Sequence, residues 1–229
     1  TLRIAGRPES FVDELVRDLY DVDGTETTIL ASAGSVELLL TARGATAADA
    51  RARLATLAEA MRARLGIDLY GVDDESLAAV VSRLLVAQGA TIAVAESCTG
   101  GLLGGALTDV PGSSACFRGG LVCYADDLKS SLAGVPDALL HAHGAVSEPV
   151  ARALAEGARR ACSSTYGLGV TGIAGPGGGT VEKPVGTVHV ALSDGGLGRA
   201  VKLDWPGDRD LIRRRAVTQQ SSDKASGHV

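Results

Sequence analysis

Aromatic side chains are scarce in this 229-residue chain: 3% of residues, with one Trp, two Phe and four Tyr. Ala, Val and Leu must therefore fill the core that 45% apolar residues make available. No basic block is present, and the net charge is −5 with a pI near 5.4. Charge-driven binding to nucleic acid or to an anionic membrane is disfavoured on that ground. A small phosphorylated ligand remains open, since it needs only one local anion site. The four cysteines, Cys98, Cys116, Cys123 and Cys162, form no C-x-x-C pair and show no metal-ligand spacing. Free thiols in a reducing cytoplasm and no required metal are the expectation. A signal peptide and a long apolar span are also missing. So is an initiator methionine: the chain opens at Thr1, directly in the strand-like LRIAG. It reads as a fragment or processed product that lacks an upstream domain.

What is present reads as two units. In the first, Leu2–Ala5 is expected as a strand and Glu9–Leu19 as a helix, with Phe11, Leu15, Val16 and Leu19 on its apolar face. Strands at 27–31 and 36–42 flank a turn at Gly34, a long helix covers 46–65, and 68–70 closes the sheet. This order, β-α-β-β-α-β, is a small α+β module over residues 1–71. GVDDES then supplies turn and cap chemistry before Leu77. From Thr91 strands and helices alternate, which predicts a layered α/β/α domain with a largely parallel sheet over residues 72–229. The final helix, beginning near Pro206, should fray after about Val217, because TQQSSDKASGHV has no apolar stripe.

In open α/β sheets ligands gather outside the carboxyl ends of the strands. Four polar segments arrive there: ESCTGG, YADDLK, TGIAGPGGG and WPGDRD. Within AVAESCTGG, Ser97 is either a helix cap or a nucleophile. Thr99 caps equally well, which would free Ser97. Gly100 and Gly101 leave the backbone bare, and N–H groups at a helix start suit an oxyanion hole. Cys98 ranks below Ser97, since a helix-start position lowers a thiol pKa but supplies no base. His141 and His143 fall in an expected loop and His189 in a strand, so no obvious Ser-His-Asp set exists. Lys129, one of four lysines, follows the apolar strand that ends at Tyr124. A lysine held close and dry can accept a serine proton. TGIAGPGGG can cradle a phosphate or ribose, with Thr171 at the strand end. Arg209 can add a charge-assisted contact, with Arg213 and Arg214 as competitors. The carboxylates of Glu96, Asp126 and Asp127 have no histidine at useful spacing, which argues against a metal.

Taken in order, AVAESCTGGLL, VPGSSACFRGG, CYADDLKSSLAGV, HGAVSE, TGIAGPGGG, EKPVGTV and GDRD resemble the C-terminal domain of the CinA family from about Ser76 to Arg214. That domain is also found alone as a bacterial nicotinamide mononucleotide (NMN) deamidase, the PncC-like form. The front unit resembles the KH-like linker domain of full-length members. Those members begin with a molybdopterin-binding-like domain, here expected to be missing. The resemblance implies a cytoplasmic amidohydrolase that converts NMN to nicotinate mononucleotide and ammonia through a Ser/Lys-type acyl-enzyme, without a cofactor and as a homodimer. By the same resemblance Ser97 is the nucleophile, Lys129 the base and Tyr124 its neighbour. Glu96, Thr99, Gly100, Gly101, Thr171, Gly172, Ala174, Gly175 and Arg209 line the substrate site. Two departures stand out: the polar C-terminal tail, and Asp–Asp in YADDLK where the family more usually has Asn–Glu. The alternative is a binding protein associated with competence and DNA recombination, with little or no catalysis. The front unit lacks a GXXG loop and carries more acidic than basic residues, which weighs against RNA binding.

Overall fold

The computed structural model describes residues 1–32, 34–196 and 198–225, which divide into two compact units, one built on residues 1–80 and the other on 81–220. In the first unit the elements run β1 (Leu2–Ala5), α1 (Glu9–Val16), β2 (Thr25–Ser32), β3 (Ser35–Ala42), α2 (Ala47–Leu65) and β4 (Leu69–Val72). The four strands pair antiparallel in the order β2-β3-β1-β4. Leu2, Ile4, Val36 and Leu38 of the sheet meet Val12, Val16, Leu57, Met61 and Leu65 of the helices in one core. The buried face of α1 is thus centred on Val12 and Val16. Phe11, expected inside, lies on the rim under the Arg7 guanidinium, 4.9 Å from its ring centre. α1 also stops at Val16, giving way to a 3-10 turn over Arg17–Leu19. α2 starts where its cap chemistry dictates: the Thr46 hydroxyl accepts the Asp49 N–H at 3.1 Å.

Beyond α3 (Leu77–Ala87), within which the division falls, come β5 (Ile92–Glu96), α4 (Leu102–Thr108), β6 (Phe117–Val122), α5 (Asp126–Ala133), α6 (Asp137–His143) and α7 (Glu148–Ala161). The chain continues through β7 (Tyr166–Gly172), β8 (Thr187–Ser193), β9 (Arg199–Asp204) and α8 (Arg209–Ala225). The sheet order is β6-β5-β7-β8-β9. β6, β5 and β7 are parallel, while β8 and β9 return antiparallel. The physical reason is the connection: β5-to-β6 and β6-to-β7 carry crossover helices, whereas the links into β8 and β9 carry none. α6 was not expected, and it places His141 and His143 on a helix rather than in a loop. α8 continues to Ala225, past Val217, because no Pro or Gly interrupts backbone hydrogen bonding before Gly227. Among the described residues no helix is long and apolar enough to cross a membrane.

Two cores sandwich the second sheet. On one face Ala93, Ala95 and Cys123 pack with Ala133 of α5 and Val150, Leu154 and Ala158 of α7. On the other, Cys98, Val170, Val188 and Val190 pack with Ile212 and Ala216 of α8. Small residues let α7 lie almost on the strands: a Cβ at Gly167 would stand 2.0 Å from the Ala155 carbonyl oxygen, and one at Gly169 2.3 Å from that of Ala151. Both obstacles are main chain, so relief requires the helix to move. Gly167→Ala is expected to cost roughly 1–3 kcal/mol, read as a lower urea midpoint. An unchanged midpoint would show that α7 is not seated this closely.

Candidate active site

Glu96 pairs in register with Val122 on β6 and Val170 on β7, so Ser97 and Cys123 leave the sheet side by side, next to Thr171 near the end of β7. The Ser97 N–H donates to the Val170 carbonyl at 3.0 Å, and the Cys123 N–H to the Glu96 carbonyl at 2.7 Å. The pleat puts Ser97 on the same face as Ala95, the face covered by α5 and α7. Ser97 is nearly buried, with 8% of its surface exposed. Thr171 faces the same side, and its buried hydroxyl donates to the Ala145 carbonyl at 2.8 Å, just before α7.

Ser97 is not the cap of α4, and neither is Thr99. The helix begins only at Leu102, because Gly100 and Gly101 adopt left-handed backbone angles (φ 61° and 99°) and carry the chain through a turn first. Glu96 does the capping from the end of β5. Its carboxylate, 1% exposed, accepts the N–H groups of Gly101 at 2.9 Å, Leu103 at 3.1 Å and Gly104 at 2.7 Å. A carboxylate is favoured there by charge and by the orphan donors of the first turn. Glu96 and the Gly101 N–H, expected to face substrate, are therefore engaged with each other. The Gly100 N–H closes the turn onto the Ser97 carbonyl at 3.1 Å. Among the described residues, the Cys98 and Thr99 N–H groups of this turn meet no oxygen acceptor and have only the Cys98 sulfur beside them.

From the α8 side, the Arg213 guanidinium donates to the carbonyls of Cys98 at 3.1 Å and Thr99 at 2.8 Å. Arg214 points elsewhere and pairs with Asp210 at 2.8 Å. The competition among arginines is thus resolved by helix geometry: Arg209 and Arg213, four residues apart, share one face. That spacing was the available signal for Arg213, expected only as a competitor of Arg209 for an anion and found instead on two main-chain carbonyls.

Lys129 is 1% exposed, and its Nζ donates to the Tyr124 carbonyl at 3.0 Å and Asp126 Oδ1 at 3.1 Å. The Tyr124 ring itself is exposed, and its hydroxyl accepts from Arg209 at 2.9 Å. It is the main chain of Tyr124, not its phenol, that touches the lysine. Arg209 also donates to the Gly175 carbonyl at 2.9 Å. The guanidinium consequently bridges from the end of β6 to the loop after β7, passing the end of β5 that carries Ser97. Gly172 and Ala174 are packing positions. A Cβ at Gly172 would meet Val188 at 2.8 Å and Cys98 Sγ at 3.1 Å, and Ala174 sits in the α8-side core.

The other candidate groups are less suited to chemistry. Burial pushes the Cys98 thiol up to about 11, against the lowering expected of a helix start. His189 stands opposite Thr171 in β8, where burial lowers its pKa and its Nδ1 has no partner among the described residues. The His141 ring bonds only to the Asp137 carbonyl. Among the described residues no group of three or more His, Cys, Asp or Glu side chains is placed to hold a metal.

A buried Ser and a buried Lys at the carboxyl edge of the sheet, with an arginine bridge beside them, complete a layered α/β domain whose polar groups gather at its strand ends. Comparison with known proteins places it further. Residues 74–221 match the CinA C-terminal domain and residues 1–71 match the damage-inducible protein CinA KH domain, so the chain belongs to the CinA family. It is 48% identical over 224 residues to a CinA-like protein of Gloeobacter violaceus, covering 97% of this chain and 52% of that protein. A CinA-like protein of Synechococcus sp. is 52% identical over 221 residues, with 96% and 52% covered. The chain thus spans about half the length of these relatives. Among solved structures, the competence/damage inducible protein CihA of Agrobacterium tumefaciens superposes with a TM-score of 0.61 at 36% identity, over 67% of this chain and 97% of that one. The CinA superfamily protein ECK1530/EC0983 of Escherichia coli gives 0.63 at 28% identity, over 71% and 97%.

The burial of Cys98 makes a prediction. In the folded protein at pH 7, iodoacetamide should spare Cys98 and modify the half-buried Cys162 first, as read by peptide mass mapping. Fast alkylation of Cys98 would reopen the thiol as a nucleophile.

Proposed function

We propose that residues 72–229 form an amidohydrolase that converts NMN and water to nicotinate mononucleotide and ammonium, and that residues 1–71 serve as a linker domain. The observation that carries this reading is the burial of Lys129 at 1% exposure, on the segment following the strand next to Ser97. Lysine is almost never fully buried unless paired, and Asp126 Oδ1 at 3.1 Å is the ionic partner here. Here two oxygens occupy two of the three positions around its nitrogen, leaving one for a further partner.

In this reading Lys129 takes the Ser97 proton as the oxygen attacks the carboxamide carbon. The tetrahedral oxyanion is held by main-chain N–H groups. Lys129 returns the proton to the leaving nitrogen, the C–N bond breaks and ammonia departs. A water molecule then gives its proton to Lys129 and attacks the ester, and Ser97 recovers its hydrogen as the C–O bond breaks. The pyridinium of NMN already withdraws electrons from the carboxamide, so one base and one or two N–H donors are a sufficient apparatus. Arg209, on the exposed side of the edge, is the group suited to the substrate phosphate, with the Gly175 carbonyl and the Tyr124 hydroxyl orienting its guanidinium. The pairing of two copies and the presence of an upstream domain in the intact protein belong to the same proposal.

The test is ammonia release from NMN by the wild type, Ser97→Ala and Lys129→Ala. Both variants are expected to lose at least about 1,000-fold in kcat, the scale seen when a nucleophile or its base is removed. Ammonia release that survives in Ser97→Ala would rule out the acyl-enzyme.

A further inference from the structure

We infer that Arg213 is a positioning residue for the oxyanion, fixing the Thr99 N–H as its principal donor; this rests on the amidohydrolase reading above. A trans peptide holds its C=O and the following N–H in opposite directions. Arg213 draws the Cys98 and Thr99 carbonyls toward α8, at 3.1 and 2.8 Å. The N–H groups of Thr99 and Gly100, which share those two peptide planes, are turned away from the Arg213 guanidinium. The Gly100 N–H is already spent on the Ser97 carbonyl. The Thr99 N–H finds no oxygen among the described hydrogen bonds and meets only the Cys98 sulfur, a weak acceptor.

A second observation marks the same residue. Thr99 is 0% exposed, and its hydroxyl also lacks a partner among the described residues. An unmade hydrogen bond in a buried place is costly, and a residue whose hydroxyl is idle and whose N–H meets only a thiol is poised for an acceptor that arrives with substrate.

The turn is held from both sides by opposite charges. Glu96 takes the N–H groups of Gly101, Leu103 and Gly104, while Arg213 takes the two carbonyls ahead of them. This arrangement fixes peptide planes before substrate binds, which is what an oxyanion site requires. Arg213 touches neither substrate nor Ser97 in this scheme.

The experiment compares wild type, Arg213→Lys and Arg213→Ala in NMN turnover and in phosphonylation of Ser97 by a fluorophosphonate, a reaction that builds an oxyanion without NMN recognition. Both variants should lose about 10- to 100-fold in kcat and in phosphonylation rate, with KM within about twofold. Millimolar guanidinium chloride should restore a good part of the Arg213→Ala rate. An unchanged kcat, a loss confined to KM, or Arg213→Lys at the full rate while Arg213→Ala fails to fold would each overturn the inference. Wild type that is inert toward NMN but phosphonylated at Ser97 in an Arg213-dependent way would sink the substrate assignment and leave this inference standing. No Ser97 phosphonylation at all would sink both.

Discussion

The carboxylate of Glu96 sits at the end of β5 with its oxygens turned back onto the first N–H groups of α4. Everything at the carboxyl edge depends on that contact. It satisfies donors that would otherwise be orphaned in a dry place, and it does so from the residue just before Ser97. The helix therefore does not need Ser97 or Thr99 as a cap. The turn between strand and helix is free to be shaped by its two left-handed glycines and by Arg213. A buried carboxylate with its lone pairs met is stable; the same carboxylate without the helix start would be an expensive burial. Strand end, turn and helix start thus stand or fall together.

The rest of the second unit delivers partners to that edge. Parallel pairing of β5 with β6 and β7 aligns three strand ends, so Ser97 has the Lys129 segment on one flank and Thr171 on the other. The antiparallel return through β8 and β9 then carries the chain to α8 on the opposite face. One helix face supplies Arg209 above the edge and Arg213 behind the turn. Glycines at 167 and 169 make the tight seating of α7 possible, which keeps the Ser97 side of the sheet closed and dry.

Much of this was legible in the sequence. Alternating apolar runs and turn residues mark nearly every strand and helix, and the polar segments at the strand ends mark the edge where they meet. The motifs carry the family, and the family brings Ser97, Lys129, Tyr124, Thr171 and Arg209 to one edge on the page of residues alone. What failed was direction. The period of α1 allowed two overlapping apolar faces, and only packing against β1 and β3 selects Val12 and Val16 over Phe11. The sequence ESCTGG holds a carboxylate, two hydroxyls and a thiol in a row; which one caps the helix is set by the backbone angles of two glycines, which no side-chain pattern encodes. Cys98 looks activated by position and is silenced by burial. Tyr124 lies near Lys129 in the chain, yet its ring turns to Arg209, a residue 85 positions away. Contacts of that range are invisible to local spacing.

Covalent capture tests the central claim, that Ser97 carries the acyl group, most directly. Ammonia release from NMN would be followed in the presence of hydroxylamine, with the organic product analysed by mass spectrometry. If Ser97 is acylated, hydroxylamine intercepts the ester: the hydroxamate of nicotinate mononucleotide forms at the expense of the acid, ammonia release is not slowed, and both vanish in Ser97→Ala. Ammonia released with the acid as sole product, at the same rate with and without Ser97, would contradict the account.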